Sequence, residues 1–156
     1  MTGWRWESYQ TVEVQVPDDW RYDSIAVGRY SLGHRSSPAR APLIASSTLT
    51  GDAAKALVAA IGAAPEGLDP DVPDCIIVYG GELIVLTMHA GDRTQEVLVR
   101  YAGCRFNGTD DGTTQRRLTA AVVRPLLTGV HQQTSYNNGL YELVFGHAGV
   151  SKPTSQ

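Results

Sequence analysis

Hydrophobic and polar residues alternate in several short segments of the chain, a pattern typical of β-strands with one buried face. Three valines in residues 11–17 alternate with polar residues before a proline, which predicts a strand that ends there. The apolar positions Ile25 and Val27 predict a second strand, and residues 43–46 predict a short third one. The first part of the chain is therefore expected to contribute strands to a sheet.

A helical pattern follows directly after these strands. Thr50 has a side chain suited to an N-cap, and the residues after it are mostly alanine, leucine and isoleucine. Ala53, Leu57 and Ile61 recur at intervals of four, so we expect them to face the core from one side of the helix. A glycine and then Pro65 end the pattern.

The central part of the chain predicts a meander, in which successive strands are joined by tight turns. Residues 75–79, 82–90 and 93–104 are rich in strand-forming side chains. The Gly-Gly pair at 80–81 and the Gly-Asp pair at 91–92 separate them and suit two-residue turns. Because residues 82–90 are apolar on both faces, they are expected to form a central strand with the helix on one side.

The remaining patterns complete an α+β fold. They predict a turn at residues 107–112 with arginines on a returning strand, a short second helix in residues 119–129 and a final strand in residues 140–146. We therefore expect a mainly antiparallel sheet with one main helix packed on one face. Residues 1–150 are expected to form a single globular domain and residues 151–156 a disordered tail.

Composition and charge exclude several classes of function. The chain has 42% hydrophobic and 19% charged residues, a globular balance, and its net charge of -3 gives no reason to expect nucleic acid. No apolar run approaches the ~20 residues of a membrane span. Without a secretory signal at its start, the chain as it stands is expected to be cytoplasmic, whereas a domain excised from a longer exported protein would be extracytoplasmic. The oligomeric state is not determined by these features.

The two cysteines allow a geometric test, and the sequence leaves open whether they form a disulfide or remain thiols. A hairpin at residues 80–81 would place Cys75 opposite Leu86, which in turn would lie opposite Val97. Cys104 would then be seven strand residues further along, roughly 23 Å away. A disulfide needs Cα atoms within about 7 Å, so the tight hairpin and the bridge exclude each other.

Candidate polar chemistry is sparse. The histidines and cysteines have no metal-ligand spacing, and the Asp110-Asp111 pair fits turn chemistry better than a calcium loop, so no metal and no cofactor is expected. Several arginines near this turn are candidates for an anion site, with simple pairing to nearby carboxylates as the alternative. These candidates are Arg100, Arg105, Arg116 and Arg117.

One histidine and a group of aromatic residues complete the candidates. His89, with Glu82 and Asp92 expected nearby, is the candidate for proton transfer, and the alternative is a histidine without a catalytic role. Aromatic side chains flank the first predicted strand, where they form either a lid over the sheet or an exposed ligand-binding surface. The candidates for this surface are Trp4, Trp6, Trp20 and Tyr22.

The segments GWRWESYQTVEVQVPDDW, VGRYSL, KALVAAIGAAP and VRYAGCRFNGTDDGTTQRRLT resemble uncharacterised actinobacterial domains. Such domains often occur in exported or membrane-anchored proteins, so the resemblance, over residues 3–129, implies an architecture and a location but no activity. Members often carry one cysteine at the position of Gly28 and another matching Cys104. The resemblance favours a bridge between Cys75 and Cys104, while the missing cysteine at Gly28 argues against export of this protein.

No motif in the chain identifies a reaction. The leading prediction is a non-catalytic binding or interaction module for a protein or small-molecule ligand, with an accessory role in the cell envelope. The alternative is a small enzyme of the cyclase or isomerase type that acts in an aromatic-lined cavity. A deep apolar pocket near Trp6, Trp20 or His89 would favour the enzyme, and a filled core with an exposed aromatic surface would favour the module.

Overall fold

The computed structural model describes residues 23–32, 42–75, 81–129, 134 and 137–146. The predicted strand at residues 11–17 lies outside these residues. The strands within them are β1 (Ser24–Ser31), β2 (Leu43–Thr50), β3 (Glu82–Ala90), β4 (Arg93–Arg100), β5 (Gly108–Asp110) and β6 (Gln115–Arg116). The helices are α1 (Gly51–Ala63), α2 (Ala120–Val123) and α3 (Asn138–Phe145), with a 3-10 helix at Arg124–Leu127.

The strands form one antiparallel sheet in the order β2-β1-β3-β4-β5-β6. β3 lies between β1 and β4, so the apolar side chains on both of its faces are mostly buried. Val27, Leu86 and Val97 form one row across these three strands, which confirms the predicted pairing of Leu86 with Val97. With the main helix on one face of the sheet, the architecture confirms the predicted α+β fold.

The neighbours of β3 confirm one predicted hairpin and exclude the other. Ala90 pairs with Arg93 across the tight turn at residues 91–92, as the Gly-Asp pair predicts. On its other edge, β3 pairs with β1 along nearly its whole length, so the segment that begins at Cys75 is not its hairpin partner. The predicted meander is wrong at this point, because a strand distant in the sequence occupies the edge that the nearby segment was expected to take.

Helix α1 packs on the sheet through Ala54, Leu57 and Ile61. The helix begins after Thr50 as predicted. Ala53 is exposed rather than buried, because at 3.6 residues per turn Ala54, and not Ala53, lies on the same face as Leu57 and Ile61. These side chains join the apolar residues of β1, β3 and β4 in one core. Each fully buried leucine or isoleucine there contributes about 1.5–3 kcal/mol relative to an exposed position.

The C-terminal segment adds α2, the 3-10 helix and α3 to the same core. Thr119 caps α2, since its Oγ1 accepts a hydrogen bond from the Val122 amide at 3.3 Å. The final strand predicted at residues 140–146 is wrong, because this segment lies in α3 and the turn that ends it. Leu140 and Val144, four residues apart, face the core from one side of that helix.

The turn predicted at residues 107–112 is shifted along the chain. Strand β5 occupies half of that segment, and the tight turn follows it at residues 111–114. There Asp111 Oδ1 accepts hydrogen bonds from the amides of Thr113 at 2.9 Å and Thr114 at 2.6 Å. The chain then returns as β6, as expected. No helix in the described part of the chain is long and apolar enough to cross a membrane.

Candidate functional site

The structure separates His89 from Glu82, one of its two expected neighbours. This residue lies at the hairpin end of β3, opposite Thr94 of β4. Glu82 begins the same strand, seven residues or roughly 23 Å away, and alternation places it on the other face of the sheet. The expected proximity of these two side chains is therefore wrong. The aromatic candidates Trp4, Trp6, Trp20 and Tyr22 lie outside the described residues.

The four candidate arginines separate into two groups. Arg116 donates from Nη1 to the carbonyl of Ala64 at 2.9 Å, and Nε of Arg117 lies 3.8 Å from Oδ1 of Asp69. Both arginines therefore fasten the segment that follows α1. The other two arginines, Arg100 at the end of β4 and Arg105 in the loop after it, instead line a pocket at that end of the strand. The four arginines do not converge on one site.

Residues 64–75, here called the connector, link α1 towards β3 and are irregular. Backbone hydrogen bonds nevertheless join these residues to the sheet and to the loop after β4. The amide of Gly67 donates to the carbonyl of Gln115 at 2.8 Å, and the amide of Val72 donates to the carbonyl of Cys104 at 2.9 Å. The connector thus runs beside the β5–β6 end of the sheet.

A disulfide bond joins the end of the connector to the loop after β4. Cys75 and Cys104 are bonded, with their Cα atoms 5.5 Å apart. This is the alternative that the resemblance favours. It is compatible with the fold because β1, and not the segment after Cys75, pairs with β3, which leaves the connector free to reach Cys104 from the β5–β6 side.

A buried polar cluster lies where β1 ends and β3 begins, on the helix-covered face of the sheet. Nε of Arg29 lies 3.7 Å from Oε2 of Glu82, and these side chains are only 6% and 3% exposed. Tyr101 donates its hydroxyl hydrogen to the same oxygen at 2.8 Å, and Thr134 donates to Oε1 at 2.9 Å. Each carboxylate oxygen of Glu82 therefore has a donor, which stabilises its charge in the core.

The sequence analysis missed this cluster. Arg29 and Glu82 are both placed in strands by the alternation of apolar residues, but charged side chains at strand ends are usually exposed. The signal that was present is their position: Arg29 has the same parity as Ile25 and Val27, and Glu82 the same parity as Leu86. Both lie on the core face by alternation.

Tyr101 makes the free energy of unfolding depend on pH under alkaline conditions. Its phenol pKa is raised above 10.0 by burial first, and then by the negative charge and hydrogen bond of Glu82, with Arg29 acting in the opposite direction. Above about pH 10 the unfolded chain loses a proton that the folded protein keeps. The free energy of unfolding should therefore be unaffected by this group below that pH and should fall above it, by up to ~1.4 kcal/mol per pH unit.

Urea unfolding between about pH 9 and pH 11 tests this dependence. Because other tyrosines and lysines also titrate there, the informative quantity is the difference between the wild type and Tyr101→Phe. We expect the stability of the variant to fall less steeply with pH. Parallel curves for the two proteins would contradict the assignment.

A pocket of about 250 Å³ opens beside this cluster. Leu32 after β1, Leu83 of β3 and Arg100 of β4 form its strand-end wall, and Glu82 and Tyr101 also line it. The loop after β4 forms the opposite wall with Gly103, Arg105, Phe106 and Asn107.

The loop at residues 103–107 holds the rim of the pocket in a fixed conformation. Asn107 accepts from the Gly103 amide at 3.1 Å and donates to the Gly103 carbonyl at 2.8 Å. The connector adds a hydrogen bond from the Asp69 amide to the Asn107 carbonyl at 2.9 Å, and the disulfide fixes Cys104. Between these anchors Phe106 has φ 64, a strained conformation for an aromatic residue, and its side chain is 59% exposed.

The chemistry available in the pocket favours binding over proton transfer. Its carboxylate, Glu82, already accepts hydrogen bonds from Tyr101 and Thr134, and burial keeps the pKa of Tyr101 above the working range of a general base. Among the described residues, no group of three or more histidine, cysteine, aspartate or glutamate side chains could hold a metal ion. A fixed rim with an exposed aromatic ring and two arginines is suited to holding a small molecule.

Comparison with known proteins adds no relative, since no family model, curated protein or solved structure matches the chain. The resemblance to actinobacterial domains therefore stays a prediction.

Proposed function

We propose that this domain is a non-catalytic binding module that takes a small molecule in the pocket beside Glu82, Arg100 and Phe106. The observation that carries the proposal is the rim loop, which keeps an aromatic side chain exposed in a strained backbone conformation. Both features cost free energy, and strained residues concentrate at ligand-binding positions. The loop is anchored from three sides, so the pocket is formed before a ligand arrives, which lowers the entropic cost of binding.

The hydrogen bonds that Glu82 already accepts support a binding module over an enzyme of the cyclase or isomerase type. A cyclase or isomerase needs at least one acid or base able to exchange a proton with the substrate. In the described part of the pocket the carboxylate of Glu82 and the hydroxyl of Tyr101 are hydrogen-bonded to each other in the buried cluster, and the guanidinium groups of the arginines offer only hydrogen-bond donors. The cavity is also remote from His89, which lies at the opposite end of β3.

We also propose an extracytoplasmic location, which differs from the cytoplasmic expectation. The support is the disulfide, because such bonds form and persist in oxidising compartments and are rare in the cytosol. Cys75 is exposed, so a cytosolic reductant would reach the bond. Thiols that react with an alkylating reagent in protein purified from its native host, without added reductant, would contradict this location.

A fragment screen tests the binding module. We expect some members of a mixed library of anionic, neutral and cationic fragments to bind the oxidised wild type, as detected by ligand-observed NMR. Phe106→Ala should lower their affinity about fivefold or more, the effect of losing an aromatic contact. Bound fragments should be recovered chemically unchanged after prolonged incubation.

Phe145→Ala is the matched control for this screen. Phe145 is an aromatic residue of similar exposure, 52% against 59%, on α3 and outside the pocket lining. It should leave the affinities unchanged. Fragments that bind the wild type, Phe106→Ala and Phe145→Ala equally would contradict the proposed use of the pocket.

A further inference from the structure

We infer that the pocket takes a small organic monocarboxylate, whose charged end lies against Arg100 and Arg105 and whose apolar end lies against Leu32, Leu83 and Phe106. This inference rests on the proposed function, because it names the ligand class of the same pocket. The evidence for it is the position of the charged and the apolar side chains around the cavity.

The charged side chains of the lining favour an anion. Glu82 contributes a negative charge, but Arg29 lies 3.7 Å from it and balances it inside the core. Against this one carboxylate the lining has two positive side chains, Arg100 and Arg105, whose own partners Asp110 and Asp71 lie outside the lining. A positive lining attracts anions and excludes cations of the same size.

The existing ion pair of Arg105 leaves room for a carboxylate. Nη2 of Arg100 lies 3.9 Å from Oδ2 of Asp110, and Nε of Arg105 lies 3.5 Å from Oδ2 of Asp71. Both distances exceed those of charge-assisted hydrogen bonds. A guanidinium has five N–H donors, so a ligand can add bidentate bonds to the exposed side chain of Arg105 while its ion pair persists. Arg100 contributes a second positive charge to the same lining. The Arg105 pair is 70% and 65% exposed, and such pairs contribute little that binding would have to replace.

The apolar part of the lining and the size of the cavity limit the remainder of the ligand. Leu83 is buried, Leu32 is partly buried and Phe106 is exposed, so an apolar body would lie between a fixed wall and an aromatic ring. A volume of about 250 Å³ corresponds to about eight water-sized atoms at ~30 Å³ each. That size fits a short-chain or single-ring carboxylate.

Benzoate and benzamide form a matched pair of probes for this inference, since they share size and ring but differ in charge. We expect benzoate, titrated into the oxidised, 15N-labelled full chain, to shift the amide signals of Leu83, Ala102 and Phe106. Benzamide should bind at least about tenfold more weakly, as expected when a charged hydrogen-bonding group is lost. The benzoate affinity should also fall as the salt concentration rises.

Arginine variants separate the charge of the pocket from the net charge of the protein. Arg105→Gln should weaken benzoate binding about tenfold or more, because Arg105 is exposed and its replacement does not disturb the core. Arg100→Gln should act in the same direction. Arg124→Gln is the control, since this exposed arginine lies on the 3-10 helix and outside the pocket lining. It should bind benzoate as the wild type does.

Two results would overturn the inference: benzamide binding as tightly as benzoate, or equal benzoate affinity in the Arg105→Gln, Arg100→Gln and Arg124→Gln proteins. If neutral fragments still bind in a manner that depends on Phe106, the binding module stands and only the carboxylate class is wrong. If no fragment responds to Phe106→Ala, the binding module fails together with the inference.

Discussion

Replacing Glu82 with alanine is expected to lower the free energy of unfolding by about 3–5 kcal/mol. The substitution removes the carboxylate that lies 3.7 Å from Arg29 and leaves that arginine charged in a core position where its side chain is 6% exposed. Tyr101 and Thr134 also lose the acceptor of their hydrogen bonds. Urea unfolding monitored by fluorescence and circular dichroism measures the change, and both signals should move together.

Two further variants test whether burial is the cause. Glu66 pairs with Arg116 at 3.9 Å but its side chain is 76% exposed, so Glu66→Ala should change stability by at most about 1 kcal/mol. The double variant Glu82→Leu with Arg29→Met removes both charges and should recover the part of the loss that comes from the buried arginine charge, while Tyr101 and Thr134 still lack their acceptor. A Glu82→Ala protein as stable as the Glu66→Ala protein would show that the buried pair does not stabilise the fold.

Removing the disulfide is expected to lower the free energy of unfolding by about 3–4 kcal/mol. The bond closes a loop with a sequence separation of 29 residues, and the chain-entropy model assigns about this amount to a loop of that size. The measurement is urea unfolding of the oxidised wild type against the double variant Cys75→Ser with Cys104→Ser. Both proteins should keep the same fold, since the core of the sheet and helices does not contain either cysteine.

Reduction of the wild type by a strong thiol reductant provides the control for this prediction, because it breaks the same bond without changing the side-chain volume. It should give the same loss of stability as the double variant. A loss below about 1 kcal/mol in both experiments would mean that the hydrogen bonds of the connector already hold the loop closed in the reduced chain.

Local features of the fold follow from the sequence, and the pairing of distant segments does not. The turn at residues 91–92 and the helix after Thr50 are specified by residues close to them in the chain, and the structure confirms both. The pairing of β1 with β3 has no local signal, because any strand with an apolar face fits either edge of a central strand. The predicted meander from Cys75 is wrong for that reason.

The short C-terminal helix illustrates a second limit. In residues 140–146 the apolar side chains at Tyr141, Leu143 and Phe145 alternate as in a strand, while Leu140 and Val144 recur as in a helix. A segment of this length satisfies both periods, and tertiary contacts decide between them. In the helix Leu140 is buried in the core, while Leu143 and Phe145 remain exposed.

The candidate site depends on long-range contacts to a greater degree. The arginine cluster identified Arg100 and Arg105 as anion-binding candidates, but it also included Arg116 and Arg117, which fasten the connector. The exposed ring and positive φ of Phe106 follow from the anchoring of its loop by Asn107, the connector and the disulfide. No pattern within the loop itself indicates that conformation.

The bridge between Cys75 and Cys104 also determines how the molecule transmits mechanical force. It encloses β3 and β4 in a covalent ring, so tension applied to the two ends of the chain passes from Cys75 directly to Cys104. The covalent path of that tension therefore bypasses the central hairpin of β3 and β4. At ~3.3–3.6 Å per extended residue, the 29-residue separation corresponds to about 100 Å of chain that cannot extend until the bond is reduced.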